Sequence, residues 1–206
     1  MRSIGLVPVL RASSTKEAIT IAKTVYAAGV AVIEVTMTVP DALSVIRTLV
    51  QDLPDFVVGA GTVLDPETAR ICILEGAQFI VSPATNLRTI ELCQRYTVPM
   101  ISGALTPTEV LTAWQAGADI IKVFPVSAMG GASYLRSLKD PLPQIELLPT
   151  GGVSVANAKD FLMAGAFALG VGRDLIGAKE GGTGELSNTT VSALAYLKVI
   201  ADFRRA

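Results

Sequence analysis

Apolar residues along the chain gather into short runs, and a repeated junction precedes several of them. A helix-like segment ends on glycine between small neighbours, and an apolar run follows. The junction reads Ala27-Ala28-Gly29 before residues 31–35 and Glu75-Gly76-Ala77 before 79–81. It returns as Ala116-Gly117-Ala118 before 120–123 and Ala164-Gly165-Ala166 before 168–171. Glycine just past a helix can take the left-handed conformation that ends it, and small neighbours let the helix end lie close to a sheet. Further apolar runs at 4–10, 56–60, 98–102 and 145–148 complete eight expected strands. Their spacing of about twenty residues suits one strand–helix unit each.

Helix starts fall in step with this pattern. Ser14 with Glu17, and Thr106 with Pro107 and Glu109, read as capping boxes, while Asp65 stands as an N-cap before Pro66 and Glu67. Pro40 and Ser154 are expected to open two more helices. Alternating strands and helices with right-handed crossovers give either a closed barrel or a doubly wound open sheet. Eight such units favour the α/β (βα)8 TIM barrel, as a single domain over residues 1–206. Residues 177–188 read as a flexible loop, and 189–205 as the closing helix.

Composition narrows the partners. The chain has 206 residues, near the lower edge of the roughly 200–250 typical of one barrel. Half of it is apolar and its mean hydropathy is +0.52, yet no apolar run reaches the ~18–20 residues needed to cross a bilayer. Strands of a parallel sheet, buried on both faces, account for such apolarity. Residues 1–3 and the brief run behind them do not resemble a signal peptide. A formal charge of −1 with scattered basic residues points to neither nucleic acid nor an anionic membrane as partner. Cys72 and Cys93 show no paired spacing and read as buried, reduced thiols of a cytoplasmic protein. Histidine is absent altogether. Imidazole-based metal sites and Ser-His or Cys-His relays are thereby excluded, leaving Lys, Glu, Asp, Tyr, Cys and hydroxyls for chemistry.

Two charged residues interrupt apolar strands: Glu34 within Ala31-Val-Ile-Glu-Val-Thr36 and Lys122 within Asp119-Ile-Ile-Lys-Val-Phe-Pro125. Both lie toward the carboxyl ends, where barrel enzymes keep their active sites. An amine in an apolar interior resists protonation and so becomes nucleophilic. The alternative is an ion pair with no catalytic role. Pro149-Thr-Gly-Gly-Val-Ser154 after the seventh strand and Gly170-Val-Gly-Arg173 after the eighth occupy the places where such barrels bind phosphate. Each could equally be a tight turn needed for packing. Gly59-Ala-Gly-Thr-Val-Leu64 is expected to open space at the mouth, with the Thr62 hydroxyl as a donor, or to be a plain turn. Arg11 is either a surface cation or a ligand for a substrate carboxylate. Pro83, Phe124 and Pro125 read as pocket walls, and Trp114 and Tyr26 as packing.

Taken together, Pro8-Val-Leu-Arg11, Ile33-Glu-Val-Thr36, Gly59-Ala-Gly-Thr-Val63, Val81-Ser-Pro83, Ile121-Lys-Val-Phe-Pro125 and Pro149-Thr-Gly-Gly152 resemble the 2-keto-3-deoxy-6-phosphogluconate (KDPG) and 4-hydroxy-2-oxoglutarate (KHG) aldolases. The resemblance implies a class I aldolase of carbohydrate metabolism in the Entner–Doudoroff route, cytoplasmic, homotrimeric and without metal or cofactor. It makes Lys122 the Schiff-base lysine, Glu34 the general acid/base, Arg11 and Thr62 ligands of the pyruvyl carboxylate, and Thr150, Gly151 and Gly152 part of the phosphate site with Gly172 and Arg173. It implies a small-molecule 2-oxo acid as partner, cleaved to pyruvate and glyceraldehyde 3-phosphate. Members acting on the phosphogalactonate epimer, or on 4-hydroxy-2-oxoglutarate, are alternatives; a non-catalytic sugar-acid-binding barrel is a more remote one. Three departures stand out. Thr38 occupies a position where well-known members carry a carboxylate-binding arginine, and Arg11 matches the first-strand arginine of others. Arg173 replaces a small residue, so it either strengthens phosphate binding or fills the site in favour of another acid group. The family's helix ahead of the first strand has no counterpart in residues 1–3, so either one barrel end is less covered or the sequence is a shortened piece.

Overall fold

The computed structural model describes residues 1, 3–176 and 186–205. The four junction glycines stand just past their helices with φ of +92° (Gly29), +97° (Gly76), +96° (Gly117) and +88° (Gly165). Each is wrapped by the same pair of backbone bonds; after α1 (Thr15–Ala27), Gly29 N–H meets the Tyr26 carbonyl and Val30 N–H the Val25 carbonyl. That is a Schellman stop, which satisfies orphan carbonyls and turns the chain back toward the sheet.

The strands so launched are β1 (Leu6–Leu10), β2 (Val32–Thr36), β3 (Val57–Gly61), β4 (Ile80–Val81), β5 (Met100–Ala104), β6 (Ile120–Val123), β7 (Leu147–Pro149) and β8 (Leu169–Val171). All pair in parallel in the order β7-β6-β5-β4-β3-β2-β1-β8. The two ends meet through a Thr150–Gly170 bridge and a 2.8 Å bond from Phe167 N–H to the Leu147 carbonyl. The sheet therefore closes into the expected (βα)8 barrel. Between the strands run α2 (Ala42–Asp52), α3 (Pro66–Leu74), α4 (Leu87–Arg95), α5 (Pro107–Gln115), α6 (Ala132–Lys139) and α7 (Ala158–Met163). The short α8 (Arg173–Ile176) follows β8, and α9 (Leu186–Arg205) is the closing helix. Residues 177–185 of the expected loop lie outside the described residues, and 186–188 belong to α9.

Several local expectations need correction. Thr106 and Glu109 form the full capping box, but Glu17 turns to the Ser13 N–H and hydroxyl, so Ser14 caps α1 alone. The second helix begins at Ala42 behind Asp41 rather than at Pro40. Ser154 starts no helix: its N–H is taken by the Asn157 carboxamide, and α7 begins at Ala158. Trp114 is 40% exposed on α5, whereas Tyr26 packs on Phe56 with ring centroids 5.0 Å apart. At the amino-terminal end of β1, Ile200 and Arg204 of α9 lie so close over Gly5 that a Cβ there would fall 2.8 Å from the Arg204 guanidinium. No helix among the described residues is long and apolar enough to cross a membrane.

Cys72 on α3 and Cys93 on α4 are free and buried, as expected. Burial pushes both thiols up to about 11. At pH 8 the folded protein should therefore give almost no colour with a disulfide thiol reagent, and two equivalents after denaturation. Prompt labelling of the native protein would refute this.

Candidate active site

Partners in a parallel ladder point their side chains to the same face. Glu34 on β2 pairs with Val9 and Gly59, and Lys122 on β6 pairs with Gly103 and Leu148. With three strands between them either way round, the two residues face each other across the interior. Lys122 Nζ lies 3.5 Å from Glu34 Oε1, with Lys122 4% and Glu34 0% exposed. They are the only charged residues in the described core. Glu34 Oε2 is buried without a hydrogen-bond partner. A pair so arranged would be poor value as a structural device, because desolvating two charges offsets most of their attraction. An amine beside a carboxylate with one oxygen unengaged suits proton transfer around a nucleophile.

The loop after β3 departs from expectation. Gly59 and Gly61 do not open space at the mouth; they make room for side chains already there. A Cβ on Gly59 would lie 2.3 Å from the Phe79 ring, and one on Gly61 2.0 Å from Glu34 Oε1. Gly61→Ala should therefore displace the carboxylate and lower turnover on the order of a hundredfold while the circular dichroism spectrum keeps its native form. An alanine variant of full activity would show that Glu34 tolerates relocation. Thr62 follows in the left-handed region at φ +57°, a strained conformation for a β-branched residue that is often held at ligand clamps.

Beside the ion pair opens a pocket of about 670 Å³. Thr150, Gly151 and Gly152 after β7 line it, as do Gly172 and Arg173 after β8, Arg11 after β1, and Phe124. The Phe124 ring centroid is 5.4 Å from Lys122 Nζ, which ties this pocket to the amine. Arg11 and Arg173 have no acidic partner among the described residues. Asn157 clamps the glycine loop, taking the Ser154 N–H at 2.8 Å and giving a bond to the Gly152 carbonyl at 2.9 Å. The N–H groups of Gly151, Gly152 and Val153 meet no acceptor among the described residues. Amides and two guanidinium groups around one hollow suit an anionic ligand.

Thr62 and Pro83 stand apart from this pocket's wall; Pro83 is half-buried, its backbone carbonyl carbon 2.1 Å from where a Gly103 Cβ would sit. Sequence reading brought Arg11 together with Thr62; the structure brings it together with the glycine loops. Asp174, which also lines the pocket, went unrecognised, since a lone aspartate behind an arginine carries no signal of its own. Thr36 was missed likewise: its hydroxyl gives a 2.8 Å bond to the Leu10 carbonyl and lies 2.7 Å from the Thr38 hydroxyl. Among the described residues no cluster of three acidic or cysteine side chains is placed to hold a metal ion.

The model of the KDPG and KHG aldolase family matches residues 1–190. The chain belongs to that family. As a family member it is a carbon–carbon lyase, a class I aldolase. It is 36% identical over 157 residues to the KHG/KDPG aldolase of Escherichia coli strain K12, covering 76% of this chain and 74% of that protein. The native KDPGal structure superposes with a TM-score of 0.89 at 32% identity, over 98% of this aldolase and 96% of that chain. A KDPG aldolase from Legionella pneumophila, with pyruvate captured at low pH as a covalent carbinolamine, superposes at 0.81 with 25% identity, over 98% and 95% of the two chains.

Proposed function

We propose that this aldolase cleaves a phosphorylated 2-keto-3-deoxy sugar acid to pyruvate and glyceraldehyde 3-phosphate through an imine on Lys122. The observation that carries this reading is the buried contact of Lys122 with Glu34 beside a pocket of glycine-loop amides and arginines. The Legionella relative's carbinolamine with pyruvate supports an amine as the attacking group.

The cycle follows from the bond to be broken. The Lys122 amine adds to the C2 ketone, and loss of water from the carbinolamine leaves a protonated imine. Glu34, directly or through one water, takes the proton of the C4 hydroxyl. The C3–C4 bond then breaks, its electron pair moving into the imine to give an enamine while C4 departs as the aldehyde. Glu34 returns the proton to C3, and water hydrolyses the imine, freeing pyruvate and the amine. Arg11 and Thr62 are assigned to the pyruvyl carboxylate, holding the ketone toward the lysine. Thr150, Gly151, Gly152, Gly172 and Arg173 are assigned to the phosphate, with Pro83 and Phe124 as walls.

Arg173 adds a charge-assisted contact, so Arg173→Ser should raise KM for the phosphorylated substrate about tenfold with little change in kcat. Unchanged KM would remove Arg173 from the phosphate site. A second reading, the phosphogalactonate epimer as preferred substrate, is favoured by the likeness to the KDPGal structure. Steady-state comparison of the two epimers and of 4-hydroxy-2-oxoglutarate decides between them. The same family membership motivates a cytoplasmic homotrimer working in the Entner–Doudoroff route.

A further inference from the structure

The loops after β7 and β8 are separate in sequence, and Asp174 joins them. Its Oδ2 accepts the Val155 N–H at 3.3 Å, just behind the glycine loop, although Asp174 itself stands on α8 beside Arg173. The same oxygen accepts the Tyr196 hydroxyl at 2.6 Å, reaching in from the closing helix α9. That hydroxyl also lies 3.4 Å from the Val153 carbonyl. Tyr196 is fully buried, so its hydroxyl has no solvent to turn to. One phenol on α9 thus meets both pocket loops, and both of its partners, Val153 and Asp174, line the pocket.

We propose that Tyr196 is a positioning residue that, through Asp174, fixes the spacing between the glycine loop and Arg173 and so sets the enzyme's preference for a phosphorylated over a non-phosphorylated 2-oxo acid. This rests on the phosphate reading of the pocket given above. An anion held from two sides is bound well only when both sides keep their distance; amides 151–153 come from one loop and the guanidinium from the other. The 2.6 Å bond is short and charge-assisted, the kind able to hold one loop against another. Burial, then the bond to Asp174, raises the phenol above its ordinary range, so Tyr196 stays a donor across the working pH. Tyr196 touches no reacting atom, and Lys122 and Glu34 stand on strands that do not depend on it.

The test uses the full-length enzyme with KDPG and with 4-hydroxy-2-oxoglutarate, and inorganic phosphate as a competing probe. Tyr196→Phe keeps the ring and removes only the hydroxyl. KM for KDPG should rise about tenfold, the inhibition constant of inorganic phosphate should rise in parallel, and kcat for both substrates should stay within about twofold. Asp174→Asn, which retains an acceptor oxygen, should show a smaller shift, and Asp174→Ala one as large as Tyr196→Phe. If Tyr196→Phe fails to fold, the two Asp174 variants carry the same comparison. Equal losses on both substrates, or an unchanged ratio of KM values, would reduce Tyr196 to packing and overturn the proposal. Arg173→Ser separates the two levels. If it shifts the ratio and Tyr196→Phe does not, the positioning role falls while the phosphate pocket stands. If neither shifts it and inorganic phosphate does not compete with the wild type, the phosphate reading falls and takes the proposal with it.

Discussion

Lys122→Ala will no longer acquire a stable adduct when incubated with pyruvate and borohydride, and its turnover will fall by a factor on the order of 10⁴ to 10⁶. Alanine leaves no amine in the interior to condense with the ketone, because Lys122 is the only buried lysine among the described residues. Intact-mass and peptide mass spectrometry read the outcome directly: the wild type gains the reduced pyruvyl group at Lys122 and the variant gains none. An adduct of undiminished yield on another lysine would reassign the nucleophile. Removing the amine also strands the Glu34 carboxylate without its counter-charge, so a lower melting temperature is expected as well. Activity should therefore be measured well below the variant's own transition.

Glu34→Gln should behave differently, and the difference separates the two roles. The amide nearly matches the carboxylate in size, so the Gly61 clearance that Glu34 fills still accommodates it. Lys122 keeps its place and can still condense with pyruvate. Borohydride trapping should consequently persist at a reduced rate, while cleavage falls by about 10² to 10⁴, the usual worth of a positioned acid/base. Complete loss of trapping would mean that Glu34 is needed to form the imine, and full activity would mean that another group moves the protons.

Much of this was legible in the chain because the same physics is repeated. Glycines 29, 76, 117 and 165 announce their helix stops, since few other residues adopt positive φ without strain. The fifth stop, after α4, was unreadable for the same reason. Thr97 takes φ +54° there, with the same Schellman bonds to the Gln94 and Cys93 carbonyls, and nothing about a threonine advertises it. Lys122 and Glu34 stood out as charges inside apolar runs, an anomaly that needs no coordinates. Gly61 was misread because its partner lies on another strand; a missing side chain signals space but not what fills it. Tyr196 and Asp174 were invisible for a related reason: each is ordinary alone, and only folding brings the closing helix onto the loop after β8.

The placement of the reacting pair on β2 and β6, and of the anion-holding groups on the loops behind β7 and β8, has an evolutionary corollary. Electron flow and ligand choice are carried by different kinds of backbone: one locked into ladders on both flanks, the other joined by a few side-chain knots. Descendants of such a barrel can trade one distal acid group for another by redrawing turns, and the carbon–carbon scission need not be reinvented each time.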